Sequence, residues 1–207
     1  MYRIFVSHLQ TSVLFLPSIR HLRIVNASCT FIRMALKQPS LKPQDLLVAL
    51  KLQCTRGVSL PYAALAEQLE MSASEVHAAV QRATQSGLLR ADSGTILVDG
   101  QITFDFLIGG VRVAFPAVIG PDVRGIPTAG GGPTLARYFS EGADVFVWPH
   151  STGSRRGASL VPLFKSVPAA SLADPKLYDI LTLVDALRIG AAREREIATV
   201  ELRKLLL

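Results

Sequence analysis

The residues that could do chemistry in this chain are few. Of four histidines, His8 and His21 fall in the first 33 residues, which leaves His77 and His150. The two cysteines, Cys29 and Cys54, give neither a disulfide framework nor a metal-ligand spacing. H-E-x-x-H and G-x-S-x-G are both missing. The glycine run "TAGGGPT" lacks the Lys-Ser/Thr pair of a phosphate-binding P-loop. Its glycines could offer backbone N–H groups to an anion, but a surface loop between strands is the plainer reading. Ser151, Ser154, Arg155 and Arg156 could gather around a small anion; beside Gly153 and Gly157 they read as a solvated turn. Trp148, next to Pro149, reads as a core or interface anchor rather than a platform for a base. No catalytic constellation can be assembled. The chain is therefore expected to be no enzyme and to hold no cofactor or metal.

Recognition chemistry is better represented. "MSASEVHAAVQRATQSGLLR", residues 71–90, has two faces at helical spacing. Val76, Ala79, Val80 and Ala83 would face a core, while Ser74, His77, Gln81, Arg82 and Gln85 fall mostly on the other side. Gln can pair with adenine, and Arg with guanine or a phosphate. His77 is either a groove-facing residue or an exposed helix residue without a partner. With Ser72 at the helix start and Arg90 just beyond its end, the candidate DNA-binding set is Ser72, Ser74, His77, Gln81, Arg82, Gln85 and Arg90.

The elements that would position this face can be read on either side of it. Pro43 opens a helix over residues 43–54, with Leu46, Leu47 and Leu50 as its apolar face. Pro61 suits the first turn of the next, where Tyr62, Leu65, Ala66 and Leu69 recur at helical steps. Ser72 and Glu75 form an S-x-x-E capping box for the third helix, and Gly87 stops it. A hairpin follows: an extended piece, a Ser93-Gly94 turn and the strand Thr95–Val98. Small residues at Ala63, Ala64, Ala66, Ala78 and Ala79 let two helices cross closely. In "LPYAALAEQLEMSASEVHAAVQRATQSGLL" this order resembles the MarR-like winged helix-turn-helix domains of bacterial transcription regulators. The resemblance covers residues 41–100 and implies a third helix in the major groove and a hairpin along the DNA backbone or minor groove.

After residue 100 the pattern changes. "ITFDFLIGG" reads as a short helix or strand, "VRVAFPAVI" as a strand, and "GPDVRGIPTAGGGPT" as a loop. "LARYFSEG" reads as a brief helical turn, "ADVFVWPH" as a strand, and residues 151–171 as loop-rich. Asp174 caps a helix at 175–189 with Leu177, Ile180, Leu181, Val184 and Leu187 on one face. A last amphipathic helix carries Ala198, Leu202, Leu205 and Leu206. "GVRVAFPA", "RGIPT", "VWPH", "VPLFKSVP" and "DALRIGAARERE" resemble bacterial proteins that join a winged helix to an uncharacterised C-terminal region. That resemblance covers residues 41–207 and implies no established activity. The family's loop after "RGIPTA" is less glycine-rich than the "GGG" here.

The fold class expected is therefore α+β: an N-terminal winged helix-turn-helix, then a small α/β C-terminal region ending in two helices. The domain reading is a leader at 1–40, a winged-helix domain at 41–100 and a C-terminal region at 101–207. The leader is apolar without sustained periodicity and holds Arg3, Arg20, Arg23 and Arg33 before residue 34, with no acid. A secretory signal is interrupted by Pro17, Arg20, His21 and Arg23, and "NASC" resembles a lipoprotein cleavage site only faintly. An organellar transit peptide is a further option. The favoured reading is a misassigned start, with translation beginning at Met34. Residues 1–33 contribute +4 of the net charge of +6, so the high pI says little about the folded body. No apolar run reaches the roughly 18 residues of a membrane span, and a cytoplasmic location follows as the expectation.

The leading functional expectation is a DNA-binding transcriptional regulator whose partner is double-stranded DNA. Such a reader normally works as a homodimer, and the helices at 175–189 and 191–207 are the expected interface; the alternative is that both cover the C-terminal sheet. The rival class is an antitoxin-like or adaptor protein that holds a protein partner encoded nearby. Residues 41–100 set five basic against six acidic residues, a net of −1, which favours that rival because phosphate neutralisation supplies most non-specific DNA affinity.

Overall fold

Leu46, Leu47, Val48, Ala49 and Leu50 are five consecutive apolar residues, and all are buried. A helix that hides every side must be covered from more than one direction. That is the situation of α1 (Pro43–Cys54), which packs on the helices Ala73–Gln85 and Pro175–Ile189. The computed structural model describes residues 40–55, 58, 60–92, 94–139 and 145–207; the leader, with its expected start at Met34, lies outside them. The fold is α+β, and residues 38–207 form one compact unit.

Helix α2 (Tyr62–Gln68) follows Pro61, and α3 (Ala73–Gln85) follows a tight connection in which Glu70 takes a left-handed φ of 49°. Gly94 turns the hairpin of β1 (Leu89–Asp92) and β2 (Thr95–Val98) with φ +84°, a conformation that a side chain would strain. The register runs from Leu89 opposite Val98 to Asp92 opposite Thr95. Asp99 then caps α4 (Gly100–Gly109) by accepting from the Ile102 amide at 3.0 Å. These elements stand where the residue pattern puts them.

Beyond α4 the structure corrects several expectations. "VRVAFPAVI" is not a strand. Val111 and Phe115 are buried while 112–114 are exposed, so a four-residue spacing prevails over alternation and forms the short α5 (Val111–Ala114). The stretch expected as a loop from Gly120 is largely strand: β3 (Ile119–Thr128). The passage at 151–171 contains β5 (Arg155–Leu160) and α6 (Val167–Ala173). With β4 (Phe146–Pro149), these strands close on themselves. β3 pairs antiparallel with both β4 and β5, and β4 pairs parallel with β5. So tight a closure needs glycine. A Cβ on Gly125 would overlap the Trp148 carbonyl, and one on Gly157 would overlap the Val145 carbonyl.

Helix α7 (Pro175–Ile189) is the central post. Residues 180–188 are all buried, so it has no one-sided stripe and no free apolar face with which to build a dimer. Asp185 is buried within it and accepts from Thr128 Oγ1 at 2.8 Å, Trp148 Nε1 at 2.7 Å and Arg188 Nη1 at 2.6 Å. Arg188 also donates to the Phe115 carbonyl at 2.9 Å. Burial pushes the Asp185 carboxyl up from its ordinary value, while Arg188 and the other donors pull the opposite way. Helix α8 (Ala192–Leu206) covers α4 and α7 with Ala198, Leu202 and Leu206. Leu205 is exposed, and Glu201 takes an inward position instead, accepting from Tyr138 Oη at 2.7 Å. Among the described residues no helix is long and apolar enough to cross a membrane.

Candidate nucleic-acid interface

The start of α3 is fixed before any ligand arrives. Ser72 Oγ accepts from the Glu75 amide at 3.2 Å, and Glu75 Oε2 accepts from the Ser72 amide at 2.9 Å. The bonds from Ser72 hold the Glu75 carboxyl below the usual carboxylate range although it is exposed. Ser72 is thereby committed to the cap, and Ser74 Oγ lies 3.1 Å from its hydroxyl. Val76, Ala79, Val80 and Ala83 are buried, as the pattern requires.

On the outer side Ser74, His77, Gln81 and Gln85 are exposed at steps of three, four and four. They make one uncharged stripe of hydrogen-bond donors and acceptors along α3. The His77 ring meets the Tyr62 ring edge-on at 5.5 Å between centroids. The contact ties the stripe to α2, and the sequence reading missed it. A Tyr at the first position of a helix and a His fifteen residues on carry no joint signal until the two helices cross.

Arg82 is corrected. It does not stand on the outer face but reaches back to α1, donating through Nε at 2.8 Å and Nη2 at 2.6 Å to the carboxylate of Asp45. Asp45 is wholly buried, and the Lys42 amide donates to it at 2.8 Å as well. Asp45 reads in the sequence as a helix-start acid, and only the fold gives it a second partner. Lys51 is committed likewise, to Asp174 Oδ2 at 2.7 Å. Lys42 and Arg90 remain exposed; Arg56 lies outside the described residues. Arg90 sits opposite Leu97 on the hairpin. It lines a groove of 290 Å³ with Gln53, Thr95 and Leu206. Lys165, after β5, is close enough to Glu75 to help lower its carboxyl.

Burial pushes the Cys54 thiol up to about 12, so at neutral pH it stays a thiol. Among the described residues no group of three or more His, Cys, Asp and Glu side chains is placed to hold a metal ion. No protein family, no curated protein and no solved structure matches the chain.

Proposed function

We propose that the chain is a winged-helix DNA-binding protein acting as a transcriptional regulator. Its α3 enters the major groove and its β1–β2 hairpin lies along the backbone or minor groove. The observation that carries this reading is the exposed, uncharged stripe of Ser74, His77, Gln81 and Gln85 on a helix whose other side is fully packed. Uncharged polar side chains on one helix face suit base edges better than they suit phosphate. The residues that bear on the DNA are Ser74, His77, Gln81, Gln85 and Arg90. Ser72 positions the helix, and Arg82 holds it against α1.

A second reading, a protein-docking module of adaptor or antitoxin type, is favoured by the commitment of Arg82 and Lys51 to internal acids. Binding of the full chain to its own upstream duplex, against a scrambled duplex of equal length, separates the two. Under the DNA reading the wild type prefers its own duplex. Gln81→Ala loses about 1–3 kcal/mol of discrimination at one base pair. Equal binding to both duplexes, unchanged by Gln81→Ala, would leave α3 as a protein-docking face.

A further inference from the structure

The arginines of the three-stranded barrel are arranged in a way the reading strand by strand does not reveal. Arg124 on β3 lies directly opposite Arg156 on β5, and Gly125 lies opposite Arg155. Residues facing each other across an antiparallel pair have Cα atoms roughly 5 Å apart and project from the same side of the sheet. Like charges in that position destabilise a sheet. All three arginines are exposed, and among the described residues no carboxylate lies within ion-pair distance of any of them. Asp122 is the acid nearest along β3. Its main-chain carbonyl, not its carboxylate, faces Arg156 Nη2, at 3.5 Å.

The guanidinium of Arg124 is also held. Its Nε donates to the Gly153 carbonyl at 2.7 Å. Among the described residues nothing bonds its two terminal nitrogens, which form the planar fork that matches phosphate oxygens. The Gly153 carbonyl reaches this position because the turn presses on β3 so closely that a Cβ at Gly153 would overlap Gly125. The turn is closed by the Gly153 amide donating to the His150 carbonyl at 3.1 Å. Successive residues of a strand face opposite sides of the sheet, so Arg155 stands on the other face from this pair. Two opposed guanidiniums, one of them anchored, suit a ligand with repeated anionic groups better than one small ion.

We infer that Arg124 and Arg156 form a phosphate-binding surface for the backbone of double-stranded DNA, adding to the single exposed arginine of the hairpin, Arg90, the charge that the outer face of α3 lacks. The inference rests on the DNA reading above for its choice of ligand.

The test uses the full chain and a random-sequence duplex, with affinity measured across a salt series. Arg156→Gln should lower the slope of log K against log salt by about one unit, and the double variant with Arg124→Gln by about two. Arg156→Gln removes no close hydrogen bond and relieves a like-charge pair, so its melting temperature should match or exceed that of the wild type. A slope unchanged in a folded double variant overturns the inference. An unchanged DNA slope with lost binding to poly-glutamate also overturns it, in favour of an acidic protein partner. The ratio of own to scrambled duplex keeps the two proposals apart. If the wild type has no preference but the slope falls in the variants, the α3 reading fails and the arginine surface stands. If preference persists and the slope is unmoved, the reverse holds. Failure to bind any duplex at low salt overturns both.

Discussion

Asp45 has no exposure to water, and Arg82 is the side chain that answers its charge. A buried carboxylate stripped of its partner is among the costlier defects a fold can carry. The Arg82 side chain keeps 21% of its exposure, so water takes part of the load when it is removed. Arg82→Ala should cost about 2 kcal/mol, a fall of roughly 4–8 °C in melting temperature for a chain of this size. Gln81→Ala, one residue away, should leave the melting temperature within error. If Arg82→Ala melts with the wild type, the pair with Asp45 is not structural and the guanidinium is free for a ligand. The two neighbours differ for a geometric reason. On a helix packed along Val76, Ala79, Val80 and Ala83, position 81 points outward and position 82 lies on the flank. The sequence places both on the polar side, and nothing local tells that the flank abuts an acid 37 residues away.

Each element was legible in proportion to how one-sided its burial is. The helix α3, with one packed and one wet face, announces itself by spacing, and the capping box of Ser72 and Glu75 is as written. β3 carries Gly120, Pro121, Gly125 and Pro127 and so reads as loop, yet Gly125 is there because two strands close on it. Helix α7 is recognisable by its cap and its apolar stripe but not by its role, since Thr182, Asp185 and Arg188 outside that stripe are buried as well. Its cap also binds it to α1. Asp174 accepts from the Lys176 and Leu177 amides at 3.0 and 3.2 Å and from Lys51 at 2.7 Å. Burial pushes that carboxyl up, but Lys51 and the two amides together hold it below its ordinary value. A carboxyl depressed on folding stabilises above its unfolded pKa, about 3.9. That stability is lost as the pH falls through the folded value. Asp174→Asn keeps a competent N-cap and removes only the charge. The variant should melt below the wild type at pH 6–7, by about 1–2 kcal/mol of stability. The gap should close as the pH is taken below about 4. A gap constant from pH 7 to pH 3 would mean that the Lys51–Asp174 pair adds no charge-dependent stability.

At the scale of the whole molecule, α1 links the helix–hairpin segment to the C-terminal region. One of its sides meets α3 and another meets α7. Lys51 bonds to Asp174, and Gln53 Nε2 donates to the Leu205 and Leu206 carbonyls at 3.3 and 3.0 Å, closing the end of α8. Its buried leucines share one apolar core with Phe104, Leu177, Ile180 and Leu202. A fragment limited to residues 41–100 would keep the contacts of α1 with α3 and β2. It would expose the side of α1 that meets α7 and leave Lys51 and Gln53 without their partners. Several exposed leucines at about 25 cal/mol per Å² cannot be carried by so small a core. The full chain should therefore unfold in one cooperative transition seen alike by far-UV circular dichroism and by the fluorescence of Trp148, buried beside Asp185. The 41–100 fragment should melt without a sharp transition or associate through the uncovered face of α1. A fragment with a cooperative transition within a few degrees of the full chain would show that residues 41–100 are an independent domain. Two separated transitions in the full chain would show the same. The contacts of α1 with α7 and α8 would then contribute little to stability. If the prediction holds, any ligand that grips α3 acts on a body continuous with the arginine-bearing barrel, because α7 packs against both α1 and β3.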